Sequence, residues 1–193
     1  MGIESDKITF TDRIIVKTVL PFVPHIVMPN HITALRLALT PFVIYLLAIG
    51  EYGLGLTLFV LTAFTDAVDG ALARTRGPIT DWGKMYDPLA DKILIGSVAA
   101  LIVSNFLSQW VALTIIGLEL FLIVNAFWLR RYRNIEIKAK LVGKIKMILQ
   151  SFGVGFLLLA LVTDSWLLLE IARYTLYASI VFAVASLVVY RSI

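Results

Sequence analysis

Asp66 and Asp69 stand three residues apart, and Asp87 and Asp91 four apart, in a stretch of chain that is otherwise largely apolar. On a helix each spacing brings the pair onto one face, so two neighbouring helices can present acids to each other. Carboxylate oxygens are hard ligands, and such a cluster suits divalent cations like Mg²⁺, which keep coordination positions open for phosphate oxygens. Ionisable groups inside membrane segments are costly and mark function by default. A structural ion-pair network is the alternative, but residues 60–100 offer only Arg74, Arg76, Lys84 and Lys92 against Asp66, Asp69, Asp81, Asp87 and Asp91. The chain has no cysteine, which excludes disulfides and thiolate chemistry and leaves catalysis to oxygen and nitrogen groups.

The elements that must position these acids follow from composition. At 60% hydrophobic residues there is too little polar surface to cover a soluble domain, so the chain reads as an integral membrane protein. Stretches of about 20 apolar residues, the length that crosses a bilayer, run roughly over 31–50, 53–73, 84–104, 109–130, 142–163 and 166–190. Ahead of them, residues 8–26 mix Phe10, Ile14, Ile15, Val19, Leu20 and Phe22 with Asp12, Arg13 and Lys17, the pattern of an interfacial amphipathic helix. Pro21 and Pro24 are expected to end or bend it. The expected fold is all-α: a polytopic membrane protein of six transmembrane helices preceded by this amphipathic segment. One domain is expected over 1–193, with the amphipathic segment at 1–28 and a six-helix bundle at 29–193. No signal-peptide pattern precedes the first span, so the amino terminus is expected to be retained.

Charge placement predicts orientation, because cytoplasmic loops collect Lys and Arg. Basic residues precede the first span, lie between the second and third, crowd the connection from Arg130 to Lys146 and follow the sixth. The other three connections have none. Both termini and the acidic stretch are therefore expected to face the cytoplasm, in the cell membrane. The net charge of +4 reflects this bias and not a nucleic-acid partner, since no basic and aromatic interleaving appears.

The acids belong to a longer pattern, D-x2-D-G-x2-A-R-x8-G-x3-D-x3-D, filled by Asp66, Asp69, Gly70, Ala73, Arg74, Gly83, Asp87 and Asp91. In this form it resembles the signature of the CDP-alcohol phosphatidyltransferases. The resemblance implies transfer of a phosphatidyl group from CDP-diacylglycerol to a small polar alcohol with release of CMP, in a protein expected to form homodimers. Asp66, Asp69 and Asp87 would hold Mg²⁺, two ions being expected and Mn²⁺ an alternative, with Asp91 also within reach of a metal. The last acid of the motif, Asp91, would be the general base that takes the acceptor's proton. Asp66, Asp69, Gly70, Ala73, Arg74 and Gly83 would contact the nucleotide; small residues allow a ligand close to the backbone, although they also let membrane helices pack.

Two further stretches concern the acceptor. Pro29-Asn30-His-Ile-Thr33-Ala-Leu-Arg36, followed by Pro41, is similar to the opening of the first span in the bacterial branch that makes phosphatidylglycerophosphate. Asn30 is a candidate cap. Thr33 and Arg36 share a face, and an intramembrane Arg should face the protein interior or a wet cavity, where it either pairs with a motif acid or contacts substrate phosphate. Gly143-Lys144-Ile-Lys146 is similar to the basic opening of the fifth span in members that use glycerol phosphate. Lys144 is the first candidate for the acceptor phosphate, with Lys146 pointing elsewhere. Where many such members carry A-R-E, this chain reads Gly117-Leu118-Glu119, which leaves Glu119 without an assigned role and the acceptor open. sn-Glycerol 3-phosphate is favoured over inositol phosphate, phosphatidylglycerol or serine. A divalent-cation transporter is the rival of a different class; it would spread acids across the bilayer depth and repeat them in the second half, and this chain does neither.

Overall fold

A computed structural model describes the backbone of residues 15–24, 28–76, 81–133 and 141–191, and within these the side chains of all but 22, 73, 74, 76, 81–88, 126–133 and 188–191. Among the described residues there is no strand. Six long helices follow one another: α1 Pro29–Ala48, α2 Tyr52–Arg76, α3 Asp81–Phe106, α4 Gln109–Arg133, α5 Leu141–Thr163 and α6 Trp166–Arg191. They correspond one to one with the six expected spans. Five are long and apolar enough to cross a membrane over Pro29–Ala48, Tyr52–Leu72, Leu89–Phe106, Leu141–Thr163 and Trp166–Leu187, while Gln109–Asn125 of α4 is apolar but shorter. The helix itself continues to Arg133, long enough at 1.5 Å per residue to span a hydrocarbon core about 30 Å thick.

The distribution of side chains is that of a protein in lipid. Large apolar groups such as Phe42, Trp110, Phe121, Phe152 and Val181 are exposed, whereas Thr33, Arg36, Glu119, Lys146 and Gln150 are buried. In water the first set would be an aggregation surface and the second unusual; in a bilayer, polar groups are driven inward to find partners. The protein is a multi-pass membrane protein.

The turns at two of the three short connections show how the chain satisfies its own backbone. After α1, Gly50 takes φ +86°, and the Gly50 and Glu51 N–H groups donate to the Leu47 and Leu46 carbonyls at 3.3 and 2.9 Å. That is a Schellman closure, which needs a residue free to adopt the left-handed region. After α5, Asp164 does the same at φ 49°, and Ser165 Oγ accepts the Leu168 N–H at 3.5 Å to begin α6. At the start of α1 the helix opens on Pro29, so Asn30 lies inside the first turn and is not its cap. Instead the Met28 N–H donates to His31 Nδ1 at 3.3 Å.

The described helices divide into two compact units, one within Met1–Tyr45 and Thr57–Leu94, the other within Leu46–Leu56 and Ile95–Ile193. In the first, Ile15, Leu20, Ile32, Val68, Ala71 and Leu72 form a buried core, with Val16, Val19 and Val23 against it. Of the expected amphipathic segment, a helical turn at 15–18 and a 3-10 turn at Leu20–Phe22 are described; residues 8–14 and 25–26 lie outside the described residues. Its polarity is as expected, with Ile15 and Leu20 buried and Lys17 and Thr18 exposed. Its apolar face, however, packs on Val68, Ala71 and Leu72 of α2 and so pins the segment beside the acidic motif. In the second unit α5 and α6 pack along their length. There a Cβ on Gly153 would lie 2.8 Å from Leu176 Cγ, so the glycine sets how closely the two helices approach.

Candidate active site

Thr33 and Arg36, one turn apart on α1, face the carboxylate-bearing ends of α2 and α3. Arg36 is fully buried, and its Nη1 lies 2.5 Å from Asp91 Oδ1 and 3.2 Å from Asp66 Oδ1. Nη2 is 3.8 Å from Asp69 Oδ2. At the other edge of the guanidinium, Nε donates to Thr65 Oγ1 at 3.3 Å, and that hydroxyl donates to the Thr62 carbonyl at 2.6 Å. Thr33 Oγ1 donates to Asp69 Oδ2 at 3.0 Å. One side chain of α1 thus gathers two acids of α2 and one of α3.

Burial grades across the cluster. The side chain of Asp66 is 53% exposed, that of Asp91 18% and that of Asp69 3%, so the site runs from an open mouth to a closed floor. An unpaired buried guanidinium would be severely destabilising, and pairing offsets the cost. Among the described side chains, one guanidinium faces three carboxylates. That excess calls for further positive charge, and its donors are the hard oxygens that suit Mg²⁺. Among the described residues no three acidic or imidazole side chains form a set that could itself hold a metal ion; a guanidinium stands where Asp66 and Asp91 converge. The donor chemistry fits a divalent cation, with a cation already drawn to the same oxygens.

The other sequence-derived candidates fall as follows. Asp87 lies one turn before Asp91 on α3, and Gly83 on the same helix; Ala73 and Arg74 are in the last turns of α2. The side chains of these four lie outside the described residues. Gly70 is half-buried beside Asp69. In the second unit Lys144 is exposed near the start of α5. Lys146, by contrast, is buried and forms an ion pair with buried Glu119 of α4. Glu119 Oε2 makes no hydrogen bond.

That pair and the Thr65 contact were not anticipated. A signal for the pair was available: two ionisable residues of opposite sign sit alone in consecutive apolar segments, and such residues seek each other. Thr65 carried no signal, since a threonine in an apolar helix usually bonds its own backbone.

Fold and site together describe a polytopic membrane protein with carboxylates gathered around a buried guanidinium. The chain belongs to the CDP-alcohol phosphatidyltransferase family, whose model matches residues 26–188. It is similar to the CDP-diacylglycerol–glycerol-3-phosphate 3-phosphatidyltransferase of Bacillus subtilis, at 31% identity over 175 residues, 82% of this chain and 90% of that one. The protein of the same description from Rickettsia typhi is 31% identical over 135 residues, 68% of this chain and 76% of its own. A probable CMP-forming cardiolipin synthase of Drosophila melanogaster is 34% identical over 106 residues, 53% of this chain and 33% of its own.

Proposed function

We propose that this phosphatidyltransferase uses CDP-diacylglycerol as donor and sn-glycerol 3-phosphate as acceptor, forming phosphatidylglycerophosphate and CMP at the cytoplasmic face of the cell membrane. The observation that carries the reading is the convergence of Asp66, Asp69 and Asp91 on one buried guanidinium. The donor's diphosphate bridge is negative and becomes more so at the leaving phosphate as CMP departs. Mg²⁺ held by Asp66, Asp69, Asp87 and Asp91 would supply the charge neutralisation that this requires.

The remaining work falls to the chain. Asp66, Asp69, Gly70, Ala73, Arg74 and Gly83 line the nucleotide, with Arg74 as its cation. The acceptor hydroxyl attacks the lipid-bearing phosphorus as the bond to the CMP oxygen breaks. Asp91, partly exposed and one turn beyond Asp87, takes the hydroxyl proton. For the phosphate that the acceptor carries, the candidates are Arg36 and Thr33 in the first unit and Lys144 and Lys146 in the second. In-line displacement is the simpler course, since no side chain stands out as a covalent nucleophile. The basic connections face the cytoplasm, and two copies of the chain associate.

A second reading replaces glycerol phosphate by phosphatidylglycerol. It is favoured by the buried Glu119–Lys146 pair, which withdraws one of two lysines from an incoming phosphate, and by the similarity to the Drosophila protein.

The test is CMP release from CDP-diacylglycerol and Mg²⁺ by the purified chain, with glycerol 3-phosphate, inositol phosphate, phosphatidylglycerol and serine offered separately. Release with glycerol 3-phosphate alone, lost in Asp91→Asn with a drop of about 10²-fold or more, is expected. Release only with phosphatidylglycerol would transfer the conclusion to the second reading.

A further inference from the structure

Arg36 is bound in a way that a purely structural arginine would not be. Arginine and carboxylate usually pair as two parallel hydrogen bonds, fork to fork. Here no carboxylate receives such a fork. Nη1 is shared between Asp91 and Asp66, and Nη2 is buried, makes no hydrogen bond and lies 3.8 Å from Asp69 Oδ2. The guanidinium's carboxylate hydrogen bond runs from Nη1 to Asp91 at 2.5 Å, while Asp66 and Asp69 stand at ion-pair distance. Its Nε edge is anchored separately, on Thr65 of α2.

We infer that Arg36 is the cluster's resident counter-cation: it holds Asp66, Asp69 and Asp91 together and gives up Asp66 and Asp91 to a divalent ion. The inference rests on the proposed reading of these acids as metal ligands. Two cations cannot both sit at full strength on the same two oxygens, since they repel each other and share the same attraction. The guanidinium therefore competes with the metal while offsetting the mutual repulsion of the acids. Once displaced from Asp91 and Asp66, the acid-facing nitrogens become donors for a substrate phosphate. This joins the two roles that the sequence offers for Arg36 into successive states of one side chain.

The sign of the effect separates this from a simple supporting role. If Arg36 only positioned the acids, its loss would weaken metal binding; if it competes, its loss strengthens it. The experiment is Mn²⁺ binding to the full chain in lipid nanodiscs without substrate, read by electron paramagnetic resonance, alongside thermal unfolding in EDTA and in Mn²⁺. Arg36→Gln is expected to bind Mn²⁺ about tenfold tighter than the unaltered chain, to unfold at lower temperature in EDTA, and to recover most of that loss in Mn²⁺. Arg36→Lys keeps the charge without the fork. It is expected to unfold near the unaltered chain in EDTA and to bind Mn²⁺ with intermediate affinity, and it carries the test if the glutamine variant does not fold. Equal or weaker Mn²⁺ binding by the folded variants, with the unaltered chain binding normally, would overturn the exchange and leave the metal site standing. No Mn²⁺ binding by the unaltered chain would overturn the metal site and the exchange together.

Discussion

The ion pair between Lys146 of α5 and Glu119 of α4 is the place where stability and acceptor recognition can be pulled apart. Both residues are buried, and one oxygen of Glu119 has no hydrogen bond. Lys146→Met leaves the carboxylate buried without its counter-charge, and Glu119→Leu does the same to the ammonium. Removing one partner of a buried pair costs about 3–5 kcal/mol, whereas replacing both by apolar groups of similar volume is often neutral or stabilising. For a chain of this size each single change should lower the unfolding temperature by on the order of 10 °C. The Glu119→Leu/Lys146→Met double variant should recover most of that loss. The assay is thermal unfolding of the four chains in one lipid, read as a double-mutant cycle. If the double variant instead loses the sum of the two single losses, the residues are not coupled and the pair is not what holds these side chains. A stable double variant then serves the functional question. An unchanged KM for glycerol 3-phosphate would make Lys146 purely structural, and a raised KM would place it at the acceptor phosphate.

Two more perturbations test the packing around the site. Thr33→Val removes the donor to Asp69 Oδ2, a carboxylate only 3% exposed, and should cost about 1–3 kcal/mol; Thr33→Ser should keep the bond and most of the stability when the three chains are unfolded side by side. Gly153→Ala places a Cβ 2.8 Å from Leu176 Cγ and 2.9 Å from its Cδ2, and should cost about 1–3 kcal/mol through overpacking. The same substitution made in a Leu176→Ala background should cost much less, and an equal cost there would refute the contact as its cause.

Helix number and order were readable in the chain because apolar length decides them: a helix is the only open element that satisfies its backbone in lipid. The four acids were readable for a related reason, since a charge within an apolar run is conspicuous. What the sequence did not disclose is which groups meet across helices. Arg36 could face either a motif acid or a substrate phosphate, and only the packing of α1 against α2 and α3 brings Nη1 to Asp66 and Asp91. Likewise the spacing of Lys144 and Lys146 shows that they point differently, but not that Lys146 ends on Glu119. The amphipathic pattern before α1 predicted a polar and an apolar face; it could not say that Ile15 and Leu20 would be covered by α2 residues, because lipid and protein are equally apolar neighbours.

The two buried cations of the described residues also show how a structural pair differs from a site. Lys146 pairs with Glu119, one charge against one. Such pairing offsets the cost of burying either charge. Arg36 faces three carboxylates, with Asp87 one turn away on the same helix as Asp91. Among the described side chains acids outnumber cations there, an arrangement that further positive charge would stabilise. Asp66 is half exposed while Asp69 is closed off. Charge imbalance with one open side therefore separates the acidic cluster from the Glu119–Lys146 pair on physical grounds, even though both began as ionisable residues in apolar helices.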